Sequence, residues 1–238
     1  MMVTVHQPEH LPWLGFFDKA RQVDVLVLQD DVQFRKCYFQ NRNRILAGQS
    51  PSWLTVPVLM SGRSTQLIRD VIIDHHDRRW RARCLRHLTT SYQTAAFWPA
   101  HTPFFQEMYS RSWERLVELN AWAIDYLLKA FDIRVEVIRS SVVGAPGGRT
   151  ERLVEICRRL RADCYLSGIS GREYLDLDQF AAAGITVKFQ EFHHPVYRQF
   201  REPFVPYLSS LDLLLHHGPE SQAILADPGV PRLEEVLQ

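Results

Sequence analysis

Apolar residues run almost without interruption over 3–5 and 23–28, and between them polar and apolar positions recur at helical spacing over about 13–21. Unbroken Val and Leu suit strands covered on both faces, so this opening predicts a βαβ unit and a parallel sheet. From 33 to 57 the segments shorten. Stretches at 41–46 and 53–58 predict antiparallel additions to that sheet, joined by a turn near 48–50. Between 74 and 131 the texture is helical, with Leu116, Leu119, Ala123, Tyr126, Leu127 and Phe131 at steps of three and four. Two or three helices are expected there, divided at Phe97-Trp98-Pro99 and Thr102-Pro103. The βα alternation then resumes: a strand over 135–138, a glycine-rich turn at 144–148, a helix over 150–160 capped by Thr150, a strand over 164–166, a short helix ending at Gly184 and a strand over 185–190. The tail from 203 reads as short helices. The expected fold is α/β: a mostly parallel sheet with βα alternation at both ends, short antiparallel additions and a central helical insertion at about 75–131, all in one domain over 1–238.

Composition narrows the function classes. Twenty-eight Lys and Arg against 27 Asp and Glu give a net charge of +1, so no global field gathers nucleic acid or anionic lipid. The most basic stretch, 78–86, fits the solvated face of a helix. Cys37, Cys84, Cys157 and Cys164 form no C-x-x-C pair and no regular spacing, so neither a zinc knuckle nor a disulfide framework is expected. No apolar run approaches the ~18 residues of a membrane span, and the start lacks a signal-peptide pattern. A cytoplasmic location is expected, with no nucleic-acid or membrane partner.

Candidate chemistry concentrates at strand ends. His6, Gln7 and His10 follow the first strand, while Asp30, Asp31 and Gln33 follow the second; parallel strands place both groups on one rim. Adjacent carboxylates there can orient a histidine, act as general base or hold a cation, and can equally cap a turn. A histidine-held metal is not expected, because no His or Cys set has ligand spacing. In Gln40-Asn41-Arg42-Asn43-Arg44, amides and guanidinium groups alternate, which suits bidentate binding of carboxylate or phosphate and equally suits a charged edge strand. Ser167-Gly168-Ile169-Ser170-Gly171, followed by Tyr174, can free backbone N–H groups for an anion or serve as a plain turn. In His194-Pro195-Val196-Tyr197-Arg198-Gln199, a histidine beside a proline-fixed turn is a candidate base, with Tyr197 and Gln199 orienting substrate. Cys37, beside Arg35 and Lys36, is a minor candidate nucleophile.

Taken in order, His6-Gln7-Pro8, Leu11-Pro12-Trp13-Leu14-Gly15-Phe16-Phe17-Asp18-Lys19, Asp30-Asp31-Val32-Gln33-Phe34, Gln40-Asn41-Arg42-Asn43, Trp53-Leu54-Thr55-Val56-Pro57, Tyr165-Leu166-Ser167-Gly168, His194-Pro195-Val196-Tyr197-Arg198-Gln199 and Leu208-Ser209-Ser210-Leu211-Asp212-Leu213-Leu214 resemble the WbqC-like family over nearly the full chain. The resemblance implies an enzyme of O-antigen or other specialised biosynthesis, described in that family as a glycyl, aminoacyl or acyl transferase. More faintly, strand, His6-x-Pro8-x-His10, helix and strand are similar in layout to the nucleotide-binding opening of adenylyl-transferring enzymes with an H-x-G-H motif, pantothenate synthetase among them.

Three expectations follow. The first is amide formation by acyl or aminoacyl transfer from an activated, carrier-bound or free donor to an amine or amino sugar. In it His6 or His194 takes the proton, Asp30 and Asp31 orient that base, and Arg42 with the 167–171 loop holds the donor. The second is ATP-dependent adenylylation; only this reading brings in ATP with Mg²⁺, the cation sitting on Asp31, and no cofactor is otherwise required. The third is a non-catalytic partner of a biosynthetic enzyme, docking through Trp80, Tyr92, Phe97, Trp98, Phe104 and Phe105.

Overall fold

The computed structural model describes residues 1–63, 65–200, 202–227, 230, 231 and 233. Its strands, in chain order, are β1 (Met2–His6), β2 (Val25–Leu28), β3 (Arg42–Ala47), β4 (Ser50–Thr55), β5 (Glu136–Arg139), β6 (Cys164–Ser167) and β7 (Thr186–Phe189). Its helices are α1 (Leu14–Ala20), α2 (Trp80–Tyr92), α3 (Trp98–Ser110), α4 (Leu116–Ala130), α5 (Ser140–Val143), α6 (Arg149–Arg159), α7 (Leu177–Ala182), α8 (Leu211–His217) and α9 (Ser221–Ala226). The sequence reading treats the chain as one domain; the contacts group it into two compact units. The first comprises Met1–Gln7, Gly15–Val32 and Arg134–Phe192, the second Pro8–Leu14, Gln33–Ile133 and His193–Gln238.

The first unit is α/β. Its sheet runs β5-β2-β1-β6-β7 with every pairing parallel. The expected βαβ opening is present, with Val3 opposite Val25 and His6 opposite Leu28. On one face Val3, Val5, Val25, Val27 and Tyr165 pack against Leu153, Val154 and Cys157 of α6 and Phe180 of α7. Positions 150, 153, 154 and 157 of α6 are buried, the three-and-four spacing of one helix face. Fully burying a side chain such as Phe180 contributes about 2–3 kcal/mol. Thr150 is not the cap of α6: Gly148 holds that position, and the Thr150 hydroxyl instead accepts the backbone N–H of Asp176 at 3.1 Å.

In strand order the chain steps outward from β1 to β2 and β5, then returns to the other side of β1 with β6 and β7. The direction of winding therefore reverses between β1 and β6. In open parallel sheets that reversal leaves a crevice outside the carboxyl ends of the two strands, because their following segments depart to opposite faces.

The second unit holds β3 and β4, which form their own two-stranded antiparallel sheet, not an addition to the parallel one. Gly48, at φ +68°, makes the two-residue connection between Ala47 and Ser50. The insertion contains three helices, α2, α3 and α4. The break at Phe97-Trp98-Pro99 stands, but Thr102-Pro103 lies inside α3. Proline there removes one helical hydrogen bond, and the burial of Trp98, Phe104 and Phe105 around it outweighs that loss. Of the six aromatic residues expected to form a docking patch, Trp80, Tyr92, Trp98, Phe104 and Phe105 are buried. They are core. No helix among the described residues is long and apolar enough to cross a membrane.

Candidate functional site

All five strands of the first unit point the same way, so the residues that follow them share one rim. His6 closes β1 and is half-buried, with its edge against the ring of Phe16 at 4.9 Å. Its Nδ1 lies 3.0 Å from the carbonyl oxygen of Gln7. A carbonyl only accepts, so the proton sits on Nδ1 and Nε2 carries the lone pair. Burial first, and then the positive charge of Lys19, push the His6 pKa down to about 3, against the weaker opposing pull of the Gln7 carbonyl. Lys19 is itself buried and donates to the Val5 carbonyl at 3.3 Å. His6 and the Lys19 ammonium thus lie close together at the end of the central strand.

The neighbouring strand end completes it. Ser167, the last residue of β6, is buried and its hydroxyl donates to the Gly168 carbonyl at 3.0 Å. The chain then turns into a short 3₁₀ segment, Ile169–Glu173, in which Ser170 is exposed and Gly171 buried. A Cβ on Gly171 would stand 2.0 Å from Ser167 Oγ. Glycine is required here by close approach, its N–H bonding Gly168 at 2.9 Å. Gly171→Ala is expected to lower stability by about 1–3 kcal/mol and to rotate Ser167 off its bond, which thermal melts and the crystal structure of the variant would show. Beyond β7, Gln190 donates to the Gly15 carbonyl and the Asp18 carboxylate at 2.9 and 2.6 Å, tying α1 to the sheet.

Asp30 and Asp31 sit on the same rim, after β2, where two serines bind them. The Ser141 backbone N–H and hydroxyl donate to Asp30 at 2.9 and 2.7 Å, and the Ser140 hydroxyl donates to Asp31 at 2.5 Å. Arg152 adds an ion pair to Asp31 at 3.6 Å. Both carboxylates fasten β2 to the start of α5. Both oxygens of Asp30 accept from these serines, and Asp31 is bonded through Oδ1. Among the described residues no group of three His, Cys, Asp or Glu side chains is placed to hold a metal.

His10, only four residues from His6, lies in the second unit and is fully buried. Its Nδ1 is 3.2 Å from Asn120 Oδ1. Asn120 donates from Nδ2 to the Pro8 and Gln40 carbonyls at 3.1 and 2.7 Å, and this fixes which way its amide faces. The His10 proton is therefore on Nδ1. Nε2 is left as a buried acceptor with no hydrogen-bond partner among the described residues. Burial pushes the ring's pKa down to about 4, partly offset by Asn120, so it is neutral at physiological pH.

With this geometry in place the comparisons become informative. Residues 7–224 match the WbqC-like protein family. The chain belongs to the WbqC-like protein family. A Mycobacterium tuberculosis relative named "Uncharacterized protein Rv1507c" is 33% identical over 223 residues, 92% of this chain and 95% of the relative. No solved structure matches the chain.

The remaining sequence candidates of this WbqC-like protein are mostly engaged within the second unit. His194 is buried, its Nδ1 donating to the Pro195 carbonyl at 2.8 Å and its Nε2 accepting the Tyr207 N–H at 3.2 Å. Both of its nitrogens are thus engaged by backbone groups. Tyr197 and Gln199 donate to the buried Asp212 carboxylate at 3.0 and 2.7 Å, joined there by Tyr92 at 3.1 Å. Arg42 gives Nη2 to the Cys37 carbonyl and stacks on Trp53 with 4.1 Å to the ring centre, so its guanidinium is held by its own hairpin. Gln40 accepts the Arg35 N–H at 2.9 Å, and Asn41 donates to Val56 at 2.9 Å. Gln33 and Tyr174 are exposed, the former in a bridge with Leu67, and Gln7 is half-buried beside His6. Cys37 is an exposed free cysteine at φ +62°.

Ser140, Ser141, Arg152 and Asn120 were not singled out by the sequence, and Lys19 and Asp212 stood there only inside stretches that resemble the family. Asn120 had a signal: it interrupts the apolar face of α4 between Leu119 and Ala123.

Proposed function

We propose that this WbqC-like protein is a biosynthetic enzyme that binds a nucleoside triphosphate at the carboxyl ends of β1 and β6 and uses it to activate a carboxylic acid for amide formation. The strand order β5-β2-β1-β6-β7 carries this reading, because its reversal point lies between His6 and the Ser167-Gly168 turn. A donor with several phosphates suits the Lys19 ammonium and the N–H groups of that turn. In the activating step a carboxylate oxygen bonds to the α-phosphorus and the bond to pyrophosphate breaks. An amine then bonds to the acyl carbon, AMP leaves with the bonding electrons, and the amine's proton passes to a base.

His6 is the group on this rim suited to that last role. Its Nδ1 proton is tied to Gln7, and Nε2 has the lone pair. The low pKa has two lowering causes, burial and then Lys19. Phosphate charge beside Lys19 would offset the second cause and raise the ring's basicity toward the range useful for proton transfer. Acyl transfer from a preformed thioester shares the amide-forming half and needs no nucleotide.

Titration calorimetry with ATP and Mg²⁺ separates the two. Saturable heat in the wild type, weakened about tenfold or more in Ser167→Trp, which fills the turn, is the expected outcome. Absence of ATP binding in folded wild-type protein would overturn the nucleotide reading.

A further inference from the structure

The even charge of the whole chain hides a local imbalance. Between 32 and 69 there is no Asp or Glu, against six Lys and Arg: Arg35, Lys36, Arg42, Arg44, Arg63 and Arg69. This segment holds the β3–β4 hairpin and the turn before it, all in the second unit. Side chains alternate across a strand, so the pairing of Arg44 with Trp53 and of Arg42 with Thr55 sets these four on one face. Asn43 and Leu54, paired on the other face, are buried. The outward face therefore presents Trp53, 42% exposed, beside two guanidinium groups.

The turn extends that face. Arg42 stacks over the Trp53 ring at 4.1 Å and donates from Nη2 to the Cys37 carbonyl, which fastens the turn to the hairpin. Ring centres of Phe39 and Trp53 are then 5.9 Å apart, those of Tyr38 and Phe39 5.3 Å apart, and the Arg35 guanidinium lies 5.9 Å from the centre of the Tyr38 ring. Tyr38 is 43% exposed, and Arg35 and Lys36 are exposed as well. Arg44 is steadied by giving Nη2 to the Tyr207 carbonyl at 3.1 Å. Arg35, Tyr38, Phe39, Trp53 and Arg42 thus form one continuous file of rings with a cation at each end. The ion pairs among the described residues include none of Arg35, Lys36, Arg42 and Arg44.

We propose that this face binds single-stranded nucleic acid, with bases stacking on Tyr38 and Trp53 and phosphates meeting Arg35, Lys36, Arg42 and Arg44. Rings in file beside cations match a strand whose flat bases and anionic phosphates alternate, and a duplex keeps its base faces stacked on one another and out of reach. An acidic protein fits less well, because a stable interface covers about 800 Å² on each partner around an apolar centre. Among the described residues no large aliphatic side chain of the second unit is exposed, so no broader apolar patch surrounds the two rings. A net charge of +1 governs only the field at long range; within about 8 Å, the Debye length at physiological salt, the local cations decide. The face shares no residue with the β1–β6 rim and is independent of the nucleotide reading.

Fluorescence anisotropy of labelled oligothymidylate and oligouridylate of about 20 nucleotides, titrated with the full chain, tests it, and the two strands distinguish DNA from RNA as the source. Saturable binding to one or both is expected, weakened about tenfold in Trp53→Ala and in Tyr38→Ala. Lys36→Gln is expected to lower the slope of log affinity against log salt by about 0.7. Tyr38 and Lys36 are exposed, so their variants keep the test decisive where Trp53→Ala does not fold. Duplex DNA and poly-L-glutamate serve as controls and are expected to bind far more weakly. No binding of either oligonucleotide at low salt, unchanged affinity in Tyr38→Ala, or equal binding of the duplex or of polyglutamate, the mark of a general polyanion or acidic-protein surface, would each overturn the proposal.

Discussion

Asp212→Ala is expected to cost about 3–5 kcal/mol of folding stability, the largest effect of any single change considered for the second unit. The carboxylate is buried from solvent and accepts Tyr92 on one oxygen and Tyr197 and Gln199 on the other. Alanine removes the acceptor of both tyrosine hydroxyls and one of the two acceptors of Gln199 Nε2, and opens a polar void. Burial also pushes the Asp212 pKa up, against the pull of its donors and of His216. A neutral isostere therefore escapes the desolvation penalty: Asp212→Asn, with its carbonyl oxygen toward Tyr197 and Gln199, should lose less than half as much. Urea denaturation of the two variants measures both. Equal losses in Asn and Ala would show that the network contributes through shape alone.

Acidification supplies the second large effect. His6 and His10 have folded pKa values pushed below 6.5, to about 3 and about 4. Below pH 6.5 the unfolded chain takes up protons that the folded chain refuses, so the unfolded state binds more protons and stability rises with pH. Their contribution is complete above the unfolded pKa and is lost as pH falls from 6.5 toward 4 and then 3. For the fully buried His10 the loss by pH 4 is on the order of 3 kcal/mol. In His10→Gln the slope between pH 6.5 and 4 should flatten by about one proton, even though the variant starts less stable at pH 7. An unchanged slope in denaturation midpoints across that window would contradict the buried, neutral assignment of His10.

How far the chain could be read depends on which interactions are local. The βαβ opening and the strand and helix content after residue 132 follow from unbroken Val and Leu runs at 3–5 and 23–28 and from the three-and-four spacing in α6, because burial on one or both faces writes itself into adjacent positions. The rim was legible for the same reason: parallel strands put His6, Asp30 and Ser167 on one edge whatever their partners. Partners were not legible. Asp30 is bonded to Ser141, His10 to Asn120 and Tyr197 to Asp212, pairs separated by 111, 110 and 15 residues. Residue type alone could not show that the second nitrogen of His194 would be filled by the Tyr207 N–H, 13 residues on, while His10 would meet only Asn120, 110 residues on. The division of the five-residue stretch His6 to His10 between two units escaped the sequence as well, because its composition does not change there.

The most direct test of the central claim is to map where a nucleotide sits. Photolabelling of the intact protein with 8-azido-ATP, followed by peptide mass spectrometry with and without competing ATP, is expected to place ATP-protectable modification on the peptides carrying His6-Gln7 and Ser167 to Glu173. Labelling that ATP does not protect, or that falls only on segments of the second unit, would contradict the assignment of the β1–β6 rim as the nucleotide site.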